Sequence, residues 1–228
     1  MTPARSGFHG YFRALARLPE VSSLAPAMVL QMSLPGPGAS PFSGMVAQAS
    51  PFGGEGVSVD RVKVVAGRIF NPADPRAVMI NQQLADRAQL RPGGTLHLIG
   101  YPQRGPSPGI AHAERLALRV SAIVVFDDQI VSAAGERPQP WLLPSPAFAR
   151  TRQAASFNPA GGGANVLLRP GAGAAAFARG ATALAARYRV GKADVINLAT
   201  GHAAAQRAAC PPGHGRRMIV GTVGSVAE

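Results

Sequence analysis

The sequence has a single cysteine, Cys210, and few aromatic or charged residues, at 6% and 15% of its 228 positions. One cysteine excludes an intramolecular disulfide framework. Aromatic residues are not interleaved with basic ones, as stacking platforms for single-stranded nucleic acid require. No segment reaches the ~18 apolar residues of a membrane-spanning helix, because the longest candidate, 24–34, is short and contains Pro26 and Gln31. No apolar region follows Arg5, so we expect no signal peptide.

Recognisable catalytic and metal-binding patterns are also missing. The histidines do not share a metal-ligand spacing such as HxxxH. They are His9, His97, His112, His202 and His214. Asp127 and Asp128 are adjacent, so on an extended chain their carboxylates point to opposite faces and a turn is the better interpretation. The sequence contains no Gly-x-Ser-x-Gly elbow. We therefore assign no catalytic, cofactor-binding or metal-binding residue, and we expect that the protein is not an enzyme.

The chain is basic and rich in turn-forming residues. Its formal net charge is +12, and it contains 27 glycines and 21 prolines. The basic residues are scattered singly, and the densest pair, Arg216-Arg217, is shorter than the runs that mark nucleic-acid-binding tails. The hydrophobic share of 46% is typical of a globular protein. Length and composition predict one large domain or two small ones, with a buried core.

One glycine motif has the spacing of a dinucleotide-binding fingerprint. Gly171, Gly173 and Ala176 form a GxGxxA pattern between a predicted strand and a predicted helix. Pro170 interrupts the turn, however, and Asp194 stands at the start of the next predicted strand, whereas the fingerprint needs an acidic residue at its end. We interpret the motif as the start of a Gly/Ala-rich helix.

Hydrophobic periodicity predicts a mixture of short strands and short helices. Strands are expected at 21–34 (broken at Pro26), 45–49, 57–66, 77–80, 95–99, 116–126, 165–168 and 194–198. Helices are expected at 8–18, 81–90, 145–152, 173–188 and 201–209. Asn81 and Ser145 are the expected N-caps, and His97 should face solvent. This order indicates an α+β fold with a mixed sheet, rather than a doubly wound one.

Two Pro/Gly-rich segments are predicted to be surface loops. Segment 101–112 is interpreted as a hairpin tip, and segment 153–164 as a flexible loop. The second contains glycines 161–163, which we interpret as a linker, since a phosphate-binding loop follows a strand and ends in Gly-Lys-Ser/Thr. Both loops are candidate contact sites, with plain loop structure as the alternative.

A family resemblance rests mainly on residues 67–96, which read GRIFNPADPRAVMINQQLADRAQLRPGGTL. The segment is a β-turn-β-α-β module with Gly67-Arg68 after a strand, a Pro/Asp turn, a strand entering Asn81 and a Leu-Ala helix. It resembles the extracytoplasmic core domain of FtsX-like, MacB-type ABC transporter permeases. Ala77 and Gly94 stand where that family commonly has Glu and Asp. Weaker matches in the same order extend the resemblance over roughly 8–208.

The resemblance implies a MacB-like periplasmic core fold and a function without chemistry. Such a domain moves a substrate or controls a partner when a cytoplasmic ABC ATPase drives the permease helices. The implied partners are the membrane helices of a parent permease and that ATPase, with no nucleic acid, no cofactor and no identified substrate. The implied location is the extracytoplasmic face of the cell membrane.

The expected domain covers 1–208, with two lobes at about 1–140 and 141–208. Periodicity is lost after residue 209, so we interpret 209–228 as an unrelated or frameshifted tail, in place of a membrane span. Three alternatives stay open: a stand-alone soluble binding module, a truncated gene remnant and, less favoured, a basic nucleic-acid binder.

Overall fold

The structure is a computed structural model, and it describes residues 10–40, 45–59, 61–102, 112–126, 139–157, 162–190, 192–197 and 217–223. It divides into two compact units. The terminal unit comprises Met1–Pro26 and Ala160–Glu228, and the central unit comprises Ala27–Pro159. These bounds differ from the predicted lobes, because the first residues of the chain group with its C-terminal part.

The described part of the chain consists mostly of strands, with helices between some of them. The strands are β1 Val21–Val29, β2 Met32–Ser33, β3 Val46–Ala49, β4 Lys63–Gly67, β5 Ala77–Asn81, β6 Thr95–Gly100, β7 Glu114–Val125, β8 Trp141–Pro144, β9 Gly162–Leu168, β10 Lys192–Asn197 and β11 Arg217–Val223. The helices are α1 at 10–15, α2 Gln82–Ala88, α3 Pro146–Ala149, α4 Arg152–Ser156 and α5 Ala174–Tyr188.

The central unit is built on a mixed sheet with the strand order β3-β8-β5-β7-β6-β2. Strand β7, with 12 residues, also pairs with β4. The β3–β8 and β5–β7 pairs are parallel, and the other pairs of this sheet are antiparallel. A mixed sheet with short helices is the architecture that the sequence predicted.

Strand β5 lies in the middle of the central core, and all five of its residues are buried. Because side chains alternate across a strand, its apolar run serves two clusters. Val78 and Ile80 pack into one cluster, while Ala77 and Met79 pack into the other. Burial on both faces explains why this strand reads as a continuous apolar run rather than an alternating one.

Helix α2 begins where the sequence predicted. The Asn81 side-chain oxygen accepts the amide of Leu84 at 3.0 Å, which satisfies one free donor of the first turn. The same oxygen accepts the Trp141 amide at 3.0 Å, and the Asn81 Nδ2 donates to the Gln139 carbonyl at 2.8 Å. The helix ends at Ala88, slightly earlier than predicted. Asn81 therefore joins the helix start to β8 as well as capping it.

In the terminal unit, antiparallel strands follow the order β10-β11-β9, and β1 lies next to β9. Helices α1 and α5 pack together through a fully buried cluster that includes Tyr11, Leu15, Phe177 and Ala181. The Tyr11 hydroxyl donates to the Ala181 carbonyl at 3.4 Å. Burial raises the pKa of Tyr11 to about 12. The helices predicted at 8–18 and 173–188 are both present, at 10–15 and Ala174–Tyr188.

Three predictions of local structure were wrong. Pro26 does not break β1, whose pairing with β3 involves the later residues Met28 and Val29 and so does not use the amide that proline lacks. Residues 57–59 form a turn, and the strand begins only at Lys63. Segment 153–164 is not a loop throughout, because α4 and β9 occupy its described ends. The predicted helix at 201–209 lies outside the described residues.

Strand β11 lies within the segment that the sequence analysis assigned to a tail. Its residues Arg217 to Gly221 pair with β9, and its residues Met218 to Val223 pair with β10. This strand was not predicted, because a seven-residue strand among glycines and basic residues gives too short a periodic signal. The origin of 209–228 stays a prediction.

Candidate functional site

Exposed large apolar side chains are concentrated in one stretch of the central unit. Within the described residues there are six, and five of them lie between positions 52 and 69. These five are Phe52, Val57, Val64, Val65 and Ile69, and the sixth is Val29. Single exposed apolar side chains are ordinary, but two of these, Val57 and Ile69, line the same pocket, which makes that pocket a candidate interaction site.

The first part of this stretch is a tightly wound turn. The Gly54 carbonyl accepts backbone amides from Val57 at 3.2 Å, Ser58 at 2.8 Å and Val59 at 3.1 Å. The Ser50 hydroxyl donates to the Gly53 carbonyl at 2.8 Å. These bonds curl the chain, and they are the physical reason that the alternating valines of this stretch do not begin a strand. The turn leaves Val57 half exposed at its surface.

A second wall is formed where β8 leads into α3. Ser145 is fully buried; its hydroxyl donates to the Asp74 carbonyl at 2.6 Å and accepts the Phe148 amide at 3.2 Å. The Ala147 amide donates to the Pro72 carbonyl at 3.1 Å. Ser145 and Pro146 thus start the helix as the sequence predicted. They also fix the turn that carries Pro72 against that helix.

Between these walls lies an apolar pocket of about 270 Å³. Its lining residues are Ser50, Gly53, Gly54, Glu55, Val57, Ile69, Phe70, Pro72, Leu143, Pro144 and Pro146. The Ser50 hydroxyl is already engaged within the turn, and Glu55 is buried and has an interaction partner of its own. Most of the lining is therefore hydrocarbon, as in sites for small apolar ligands.

One basic side chain, that of Arg150, is fixed beside the wound turn that forms part of this pocket. The Arg150 Nη1 donates to the Pro51 carbonyl at 3.1 Å, which fixes an exposed guanidinium beside the wound turn. Arg61, Lys63 and Arg68 are exposed along the same stretch as the apolar group. The ion pair found within the described ranges lies elsewhere, between Arg119 and Asp74 at 2.6 Å. Arg150 therefore places a positive charge beside Ser50 and Pro146, two residues of the pocket lining that adjoin its contact and its helix.

The Asp74 carboxylate serves the turn rather than the pocket. Its Oδ1 accepts the Arg76 amide at 2.9 Å, and its Oδ2 accepts from Arg119. These two hydrogen bonds, the backbone one first, lower the pKa of Asp74. The hydrogen bonds stabilise the ionised form of the carboxylate, and they also fix the loop before β5.

The glycine motifs, histidines, adjacent aspartates and cysteine considered in the sequence lie in different parts of the structure or outside its described residues. Gly173 starts α5 without a side-chain cap, consistent with the interpretation of GxGxxA as a helix start. Glycines 162 and 163 belong to β9, so the linker interpretation was wrong for them. His97 is exposed, as predicted, and His112 is exposed as well. The other histidines, the 127–128 aspartates and Cys210 lie outside the described residues.

The candidate contact loops are not brought together into one described site. Tyr101 is buried, and its hydroxyl is 2.8 Å from that of Ser33, so the start of segment 101–112 belongs to the core. Residues 103–111 lie outside the described part of the chain. No three His, Cys, Asp or Glu side chains within the described ranges are close enough together to hold a metal ion.

Known proteins share the fold of this chain, but none matches its sequence closely enough to assign a family. No family model matches the chain, and no curated protein matches its sequence. The extracellular domain of the ABC-type transporter YknZ from Gram-positive bacteria is similar in structure, with a TM-score of 0.50 at 12% identity. The match covers 79% of this chain and 83% of that domain.

The chain shares the fold of this extracellular domain. The fold predicted from residues 67–96 is therefore confirmed. The periplasmic region of MacB from Actinobacillus actinomycetemcomitans is also similar, with a TM-score of 0.48 at 14% identity over 79% of this chain and 74% of that region. Among the described helices, none has the length and apolar character needed to cross a membrane.

Proposed function

We propose that the chain is the extracytoplasmic domain of an FtsX/MacB-type ABC transporter permease. In this role the domain catalyses no reaction. It changes position or shape when a cytoplasmic ATPase drives the membrane helices of the permease, and it thereby moves a substrate or controls a partner. The observation that carries the proposal is the likeness to the YknZ extracellular domain, which extends over most of both chains.

The architecture is consistent with mechanical coupling. The central unit has a continuous mixed sheet whose central strand is buried on both faces. Its turns are fixed by buried hydrogen bonds, such as those of Asn81 and Ser145. Packed sheets and bonded turns transmit displacement with little internal deformation. We therefore propose that the central unit moves as a rigid body and presents its surface groups to the substrate or partner of the permease.

A second candidate is a stand-alone binding module. The apolar pocket and the positive charge of Arg150 beside it favour it, because these features provide a binding surface without a transporter. The two candidates differ in where the domain resides and in what adjoins it. In the permease, the domain faces the outside of the cytoplasmic membrane and is joined to apolar helices.

Location can be tested with two cysteines placed on one strand. His97 is exposed on β6, whereas its neighbour Leu98 is 1% exposed on the opposite face. Each is replaced by cysteine in a Cys210→Ser background and expressed from its own locus in the native host. Intact cells are then treated with a membrane-impermeant maleimide. We expect His97→Cys to react in intact cells, and the matched control Leu98→Cys to react only after denaturation.

If His97→Cys reacts only after the cells are lysed, the domain lies inside the cytoplasmic membrane and the permease proposal fails. The flanking DNA supplies a second check. Translation in all three frames should reveal apolar segments of about 20 residues beside the domain. If none is encoded and the cysteine still reacts from outside, the binding module becomes the better account.

A further inference from the structure

We propose that the apolar pocket of the central unit binds the alkyl chain of a single-chain anionic amphiphile, whose head group pairs with Arg150 at the rim. The ligand class is a hydrocarbon chain that ends in a carboxylate or a phosphate ester. The argument uses only residues of the central unit, so the site stands or falls independently of the permease proposal.

The size of the pocket favours a chain rather than a bulky molecule. Its volume is about 270 Å³, just below the roughly 300–1,000 Å³ of pockets that enclose a whole drug-sized ligand. Val57 and Ile69, which line the pocket, keep 45% and 43% of their surface exposed. A flexible chain can fill the interior and continue over these side chains. Its burial would remove apolar surface of both partners from water.

The charges at the rim favour an anionic head. One guanidinium nitrogen of Arg150 is anchored by the Pro51 carbonyl, and the side chain is otherwise exposed. Guanidinium has five donors, so several stay available for a carboxylate or phosphate. Within the described residues, no carboxylate forms an ion pair with Arg150. Arg61, Lys63 and Arg68, also exposed in this part of the chain, add a positive field.

Glu55 is the charge of opposite sign in the lining. It is 8% exposed and already has an interaction partner. A head group that reached it would need to be cationic, and would then meet the positive rim on its way. An alkylamine is therefore the alternative ligand, and the experiment below distinguishes it from the proposed anionic ligand.

The test uses the full chain and three probes with the same twelve-carbon tail: dodecanoate, dodecanol and dodecylammonium. Binding is measured by calorimetry below the concentrations at which each probe forms micelles. We expect dodecanoate to bind about three- to tenfold more tightly than dodecanol, the range of one partly screened charged hydrogen bond. Dodecylammonium should bind more weakly than dodecanol. A fourth arm uses vesicles of phosphatidylglycerol, which present the same chemistry as a bilayer.

Two variants with matched controls locate the site. Arg150→Gln should remove the preference for dodecanoate over dodecanol, whereas Arg179→Gln, an equal change of charge at an exposed position of α5, should keep it. Ile69→Asp should weaken both probes about tenfold, since it places a carboxylate in the apolar lining. Val65→Asp alters a residue of similar exposure, 55%, that does not line the pocket, and it should leave binding unchanged.

Tighter binding of dodecylammonium than of dodecanoate would overturn the proposal, because the rim would then not select the head group. Equal effects of Ile69→Asp and Val65→Asp would overturn it as well, since binding would lie elsewhere. Binding to the vesicles without binding of monomeric dodecanoate would replace the ligand site with a membrane-contact surface. Circular dichroism of each variant shows whether a loss of binding reflects loss of the fold.

Discussion

Gly67 offers a direct test of how β4 is attached to β7. The residue has a φ of +81° and pairs with Ala122, and a Cβ at this position would clash with the Ser121 carbonyl oxygen. The same carbonyl accepts the Arg68 amide at 3.0 Å, so it has little freedom to move. The Pro92 ring closes the remaining space, with its Cβ at 2.9 Å from the added atom.

We expect Gly67→Ala to lower the free energy of unfolding by about 2–5 kcal/mol. About 1–2 kcal/mol of this is the cost of a left-handed backbone at a residue with a Cβ, and a further ~1–3 kcal/mol comes from overpacking against immobile atoms. Gly93→Ala is the matched control. Its φ is +90°, but a Cβ there would meet nothing within 4 Å, so only the first cost of about 1–2 kcal/mol applies.

The measurement is urea denaturation followed by tryptophan fluorescence. Trp141 is the one tryptophan of the sequence, and it lies in β8, stacked on Phe126 at 5.2 Å. Its signal therefore reports unfolding of the central unit alone. Equal losses for the two variants, at unchanged denaturant slopes, would show that the approach of β4 to Ser121 adds nothing, and the reasoning would be refuted.

Two further predictions concern buried polar groups. Asn81→Ala should destabilise the central unit by about 2–4 kcal/mol, because it removes a cap and also leaves the Trp141 amide and Gln139 carbonyl without their partner; Thr151→Ala, which removes a cap of α4, should cost only about 1 kcal/mol by the same fluorescence assay. A similar loss for both would contradict the bridging role of Asn81. For Tyr11, the pKa of about 12 in the folded state lies above the usual value near 10, so its contribution is complete below pH 10 and is lost as pH rises toward 12. Wild-type thermal stability should fall more than that of Tyr11→Phe over this range, by about 1–2 kcal/mol after solvent screening. Parallel pH profiles by circular dichroism would show that the pKa of Tyr11 does not differ between the folded and unfolded states.

Local signals with a direct physical cause were predictable from sequence. The cap at Asn81 and the Ser145-Pro146 helix start depend on a side chain and its own backbone, so the residue type carries the information. The buried strand Ala77–Asn81 was recognisable because burial on both faces requires an unbroken apolar run. The module at 67–96 combined these signals in one order, and so indicated the fold.

Features that depend on distant chain segments were not predictable. Strand β11 is held by pairing with β9, about fifty positions earlier, and no local periodicity encodes that partner. The pocket has no motif either, since its walls come from turns near 54 and 72 and from the end of β8. The valines near 57 alternate as in a strand, but the hydrogen bonds to the Gly54 carbonyl outweigh that preference.

The terminal unit consists of two separate segments of the chain, and this affects the order in which the two units can fold during synthesis. Its first segment, Met1–Pro26, leaves the ribosome before the whole of Ala27–Pro159, and its remaining segment follows only after that. At typical synthesis rates the delay is on the order of ten seconds, far longer than collapse of a small domain. The central unit can therefore fold before Phe177, which packs with Tyr11 and Leu15 of α1, has been synthesised. A helix of this length is not stable without its packing partner, so during that interval the nascent chain exposes an apolar segment, which is the kind of surface that chaperones and membranes recognise.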